Sequence, residues 1–148
     1  MRPPGFGSGS AIPDRRPEWV RVLDGRRTTL RQVLHQVAVH PAQLDASAVG
    51  THDIVVGVFT LILANVTADT ARTWKPRDQW LFQKAYEEVA DRWTVYKPAW
   101  DELRECLDRG RSITGAMKKL RTPRRRYIQA LEGFVDQLSV AVGALAQQ

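Results

Sequence analysis

Hydrophobic residues recur with a helical period along most of this chain. Leu30, Val33, Leu34, Val37 and Ala38 fall at i, i+3, i+4, i+7 and i+8, which is one face of an amphipathic helix. Thr28 or Thr29 stands where a cap belongs, and Pro41 ends the pattern. Before it, Pro17-Glu18-Trp19 suits the start of a shorter helix that stops near Gly25. Thr51 is placed to cap the next element, with Asp53 in its first turn. The run Ile54 to Val66 is then apolar on every side. Its length favours a fully buried helix, while its β-branched residues favour a strand. The helix is the reading that agrees with its neighbours.

Pro76 opens a long amphipathic helix whose stripe is Phe82, Tyr86, Val89, Trp93 and Tyr96, with Glu87, Glu88 and Asp91 off it. Such a stripe predicts core. Pro98 predicts a break and a new helix with Asp101 and Glu102 in its first turn. Arg109 closes that helix, and Gly110 sits where a C-terminal glycine belongs. Ser112 is placed to cap a short helix to about Leu120, and Thr122-Pro123 reads as N-cap and first-position proline of the last one. From there Ile128, Leu131, Val135, Leu138, Val142 and Leu145 alternate spacings of three and four, a heptad-like seam.

These patterns predict an all-α protein: a bundle of five to seven helices with no sheet of three or more strands. A length of 148 residues makes one domain the default. Residues 17–148 form that domain. Residues 1–16, rich in proline and glycine and holding Arg2, Arg15 and Arg16, read as a flexible N-terminal arm.

Composition narrows the classes. An apolar share of 43% with 26% charged residues is that of a globular chain, not a disordered one. The single cysteine, Cys106, rules out an intrachain disulfide and reads as a small buried hydrophobe. The first ten residues lack the apolar core of a secretory signal. The longest apolar run has 13 residues, short of the roughly 20 of a membrane span. The expectation is a cytoplasmic protein with no membrane partner.

Signs of catalysis are absent from the sequence pattern. His35 and His40 are five apart and His52 stands alone, so no His-x-x-x-His pair exists. No cysteine pair suits zinc, and no phosphate-binding glycine loop or nucleophile elbow appears. Glu87 and Asp91 share a helix face, but Lys84 and Arg92 beside them mark a solvated charged surface. The expectation is a non-catalytic protein without cofactor or metal.

Charge is the feature that points to a partner. The net charge is +6. Residues 51–109 carry 8 basic and 10 acidic groups, whereas residues 110–148 carry 7 and 2. All seven lie between Arg111 and Arg126: Arg111, Lys118, Lys119, Arg121, Arg124, Arg125 and Arg126. With Pro123 as the first residue of a helix, the last three arginines would crowd its N-terminus, where the helix dipole is already positive. A phosphate there would relieve the repulsion and meet free N–H groups.

The segment Gly110-Arg-Ser-Ile-Thr-Gly-Ala-Met-Lys-Lys-Leu-Arg-Thr-Pro-Arg-Arg-Arg-Tyr-Ile-Gln-Ala-Leu131 resembles helix-turn-helix DNA-binding segments. The resemblance implies a first helix over Ser112 to Leu120 and a recognition helix from Pro123 that enters the major groove. Phosphates would meet the seven basic residues, and bases would meet Arg124, Arg125 or Gln129. The expected partner is nucleic acid, with DNA favoured over RNA, and the seam at 128–145 would either form a homodimer or larger assembly or pack into the chain's own core. The rival reading is an interaction or assembly subunit with incidental charge, presenting Trp74, Trp80 or Trp100 to another protein.

Overall fold

The computed structural model describes residues 13–147, and every regular element among them is helical. Helix α1 spans Glu18–Val39, a 3₁₀ turn follows at Pro41–Gln43, and α2 spans Leu44–Asn65. A second 3₁₀ turn at Thr70–Arg72 leads to α3, Pro76–Asp108, and α4, Thr114–Leu145. The all-α class is as expected. Among the described residues the number of α-helices is four, not five to seven, because three residues read as breaks lie inside continuous helices.

The reason is the strength of packing on either side of each break. Gly25 costs about 1 kcal/mol in a helix interior. Val20, Leu23, Leu30 and Val37 are buried on one face around it, and each buried aliphatic side chain contributes about 1.5–3 kcal/mol. Thr28 and Thr29 therefore do not cap; their hydroxyls donate back to the carbonyls of Asp24 and Gly25, both at 3.1 Å. Thr51 likewise lies buried within α2, which begins about two turns earlier at Leu44. The apolar run is helix, not strand.

Prolines obey the same arithmetic. Pro98 lies inside α3 and Pro123 inside α4. A proline there costs about 3 kcal/mol through the lost N–H and the clash with the preceding turn. Tyr96 and Leu103 on α3, and Leu120 and Tyr127 on α4, are all buried across these sites, so burial wins. Pro98 and Thr94, whose carbonyl loses its partner, are exposed to water. Replacing Pro98 by alanine is therefore expected to stabilise the fold by about 1–3 kcal/mol, read as a higher urea midpoint at unchanged slope.

The helices alternate in direction. Tyr96 meets Asp45, His52 stacks on Trp93 and Phe59 stacks on Tyr86, so α3 runs antiparallel to α2. Phe82 and Tyr86 meet Phe134, whereas Tyr96 meets Tyr127, so α4 returns along α3. Helix α1 packs on α2 and α4, closing a four-membered ring. Gly110 ends α3 as expected, at φ 64°. The Arg111 N–H bonds the Cys106 carbonyl at 2.9 Å and the Gly110 N–H bonds that of Leu107 at 3.3 Å, the bond pattern that a left-handed glycine allows.

Length differences shape the molecule. Helices α3 and α4 have 33 and 32 residues, α1 and α2 only 22 each. The α1–α2 turn lies level with Tyr96 and with Arg121 to Gln129. Beyond it, residues 97–122 continue as a two-helix spur about 18 Å long.

The final helix turns its heptad-like seam inward. Leu131, Val135, Leu138, Val142 and Leu145 are buried with Tyr127, Phe134 and Ala141. The seam at 128–145 thus fills the chain's own core, one of the two roles expected of it. The segment Pro41–Asn65, moreover, is long and apolar enough to cross a membrane by length and composition, with 28% of its most apolar window buried. The sequence count stopped at charged Asp53 and missed this. The expectation for residues 1–16 lies outside the described residues except at 13–16, where Arg16 bridges Asp14 and Asp24 at 2.8 and 2.9 Å.

Candidate functional site

The expected helix-turn-helix is absent. Residues 114–145 form one helix, so no turn separates Leu120 from Pro123, and neither Ser112 nor Thr122 caps a helix. The crowding of Arg124, Arg125 and Arg126 at a helix N-terminus goes with it. Six of the seven basic residues instead project from the first half of a continuous helix that turns 100° per residue, and the bundle sorts them by azimuth.

Arg124 points inward. Its Nε donates to Asp45 Oδ1 at 3.0 Å and its Nη2 donates to Asp45 Oδ2. The Tyr96 hydroxyl donates to Asp45 Oδ1 at 2.5 Å. Asp45 is 8% exposed. Burial, and then the bond to Asp45, hold the Tyr96 phenol protonated far above its ordinary range. Three helices are tied here, α2 through Asp45, α3 through Tyr96 and α4 through Arg124. The expected role of Arg124 in base reading is corrected: its fork is occupied by a buried carboxylate.

Two more basic groups face α3. Lys119 pairs with Glu102 at 3.2 Å on the surface of the spur. Arg126 lines a groove with Glu88 and Arg92, which are themselves paired at 2.7 Å. Arg111 is exposed in the turn between α3 and α4.

Lys118, Arg121 and Arg125 remain. They fall at i, i+3 and i+7, which sets them along one stripe. All three are exposed, and none joins an ion pair among the described residues. Gln129 continues the stripe. Arg121, Arg125 and Gln129 face Val37, Pro41 and Ala42 across an open groove of about 480 Å³. The acidic groups of the spur do not reach this side: Asp101 pairs with Lys97 and Arg104, and Glu105 with Arg109, all on α3 or its end.

A second polar cluster lies deeper, between α2, α3 and α4. His52 stacks on Trp93 with centroids 4.2 Å apart and planes 3° apart, and its Nδ1 lies 2.8 Å from the Tyr127 hydroxyl. Burial lowers the His52 pKa below its usual value, opposed in part by the Asp53 carboxylate. Burial likewise holds Tyr127 protonated. With both groups neutral, the phenol donates to Nδ1 in one imidazole tautomer and accepts from Nδ1–H in the other. A histidine with a depressed folded pKa binds its proton more readily when unfolded, so stability falls as pH drops through and below 6.5. Wild type is expected to lose more stability between pH 7.5 and 5.5 than His52→Gln does, measured by urea unfolding.

Sequence reasoning missed Asp45 and His52 as polar centres of the core. Among the described residues no three His, Cys, Asp or Glu side chains converge as a metal-ligand set. Of the rival surface residues, Trp74 is buried, whereas Trp80 is 57% exposed with Lys84 over its ring. Taken together, the fold and this surface define a four-helix bundle with a helical spur and a basic stripe. Comparison with protein-family models, with curated proteins and with solved structures finds no match.

Proposed function

We propose that this is a non-catalytic nucleic-acid-binding protein that holds phosphates on the exposed stripe of α4. The observation that carries the reading is the alignment of Lys118, Arg121 and Arg125 on one face, none of them in an ion pair among the described residues; Glu132, the acidic group lining the same groove, stands two turns beyond Arg125. Arg111 extends the same charge toward the spur tip. Unpaired surface cations at helical spacing attract a polyanion and release its counterions on contact.

Geometry argues against base reading. The major groove is about 12 Å wide and admits one helix. The spur is a pair of helices, roughly 18–20 Å across from the 8–10 Å between packed axes and the helix diameter. It suits the backbone along a groove edge, as does the still wider bundle that carries Arg125 and Gln129 beside the α1–α2 turn, so Gln129 and the arginines contact phosphate and sugar without sequence preference. Without a helix-turn-helix, the ground for preferring DNA to RNA is gone too. The cytoplasm is the setting that agrees with such a partner.

The test is fluorescence anisotropy with two unrelated DNA duplexes and one single-stranded RNA at low salt. Similar affinities for the two duplexes are expected. Absence of binding to all three overturns the reading, and strong discrimination between the duplexes overturns its phosphate-directed form.

A further inference from the structure

The outward face of α2 is an apolar strip with no neighbour in the bundle. Val49, Val56 and Leu63 are 49%, 38% and 67% exposed and lie seven residues apart. Asp53 and Thr60 stand between them, completing a 4-3-4-3 spacing over 49, 53, 56, 60 and 63, and both are exposed. Thr60 is satisfied within its own helix, its hydroxyl donating to the Val56 carbonyl at 2.9 Å. The spacing is that of a coiled-coil seam in which apolar and polar positions alternate, on a helix whose opposite face is already buried.

We propose that the chain forms a homodimer in which α2 pairs antiparallel with α2 of a second copy about a twofold axis at Val56. The strip is self-complementary, which a twofold interface demands. Val49 and Leu63 are equidistant from Val56, so the axis sets Val56 on its counterpart and each Val49 on the partner subunit's leucine. Gly50 leaves open space beside Val49, where the larger leucine fits.

Charge complementarity is built in as well. Asp53 carries the one charge in the seam and joins no ion pair among the described residues. Arg26 of α1 lies across α2 at Gly57, where an added Cβ would meet its Nη1 at 3.1 Å. It too joins no ion pair among the described residues. The twofold brings each Asp53 within about a turn of the other copy's Arg26. A membrane offers no counter-charge to Asp53, and an unrelated partner would have no reason to match a pattern symmetric about Val56.

The strip from 46 to 64 is about 27 Å long. It falls short of the roughly 800 Å² per partner that stable complexes bury, so the dimer is weak, with a Kd on the order of 10 µM.

Sedimentation equilibrium of the full chain across about 1–500 µM, bracketing that Kd, tests this. A monomer–dimer equilibrium is expected. Val56→Glu should raise the Kd at least about tenfold with unchanged helical circular dichroism, and Val140→Glu, on the exposed side of α4, should not. Val56→Cys in a Cys106→Ser background should give a disulfide-linked dimer on oxidation. Asp53→Arg should weaken association, and adding Arg26→Asp should restore it. A monomer throughout the range, a dimer indifferent to Val56→Glu, or Val56-dependent binding of a monomer to phospholipid vesicles overturns the proposal.

Discussion

Arg124→Ala is expected to destabilise the protein by about 3–5 kcal/mol, the range for removing one partner of a buried ion pair. The loss comes less from the missing attraction than from what stays behind. Asp45 would remain buried with one neutral donor, Tyr96, for a charged carboxylate. Arg125→Ala, one residue on and exposed, should change stability by no more than about 0.5 kcal/mol. Tyr96→Phe falls between them, at about 1–3 kcal/mol for an unmet buried polar group. Replacing Asp45 and Arg124 together by leucine and methionine should recover most of the single-site loss, because apolar residues of similar size leave no stranded charge. Urea unfolding of the five proteins decides this. Equal effects at 124 and 125 would remove the buried pair from the account.

The opposite pattern is expected for binding. Changing Lys118, Arg121 and Arg125 together to alanine should leave the unfolding free energy within about 1 kcal/mol of wild type, since all three are exposed and unpaired. It should flatten the salt dependence of nucleic-acid binding by about 2.7 in slope, three contacts at about 0.9 each. Between 50 and 200 mM salt the wild type's advantage over the triple variant should therefore shrink about 40-fold. Lys119→Ala with Arg126→Ala removes nearly the same charge from the α3 side, where Glu102 and Glu88 stand, and should cost several-fold less. The contrast separates a located interface from a general effect of net charge.

Much of the architecture was legible in the sequence because its signals were local and periodic. The stripe from Phe82 to Tyr96 and the seam from Leu131 to Leu145 both mark core faces, and Gly110 ends a helix as its φ of 64° requires. Breaks were misread where tertiary packing outweighed a local penalty. Pro98 and Pro123 look like boundaries until the buried side chains on both flanks are known, and burial of that kind is not local information. The helix-turn-helix resemblance failed at the same point. Arg121 stands where such a turn carries glycine, a signal in the sequence that a continuous helix was the better reading. The basic segment was visible, but its division was not. Only the bundle's azimuths separate Arg124, turned to Asp45 across 79 residues of chain, from Arg125, turned to water.

The central claim is that an unpaired stripe on α4 holds phosphates, and its most direct test is the salt slope of wild-type binding to duplex DNA. Four cations, Arg111, Lys118, Arg121 and Arg125, each meeting one phosphate, give a slope of about −3.6 in log K against log salt. Affinity then falls roughly 150-fold between 50 and 200 mM salt. A slope near zero, or no binding at 50 mM either to the duplex or to single-stranded RNA, would contradict the account.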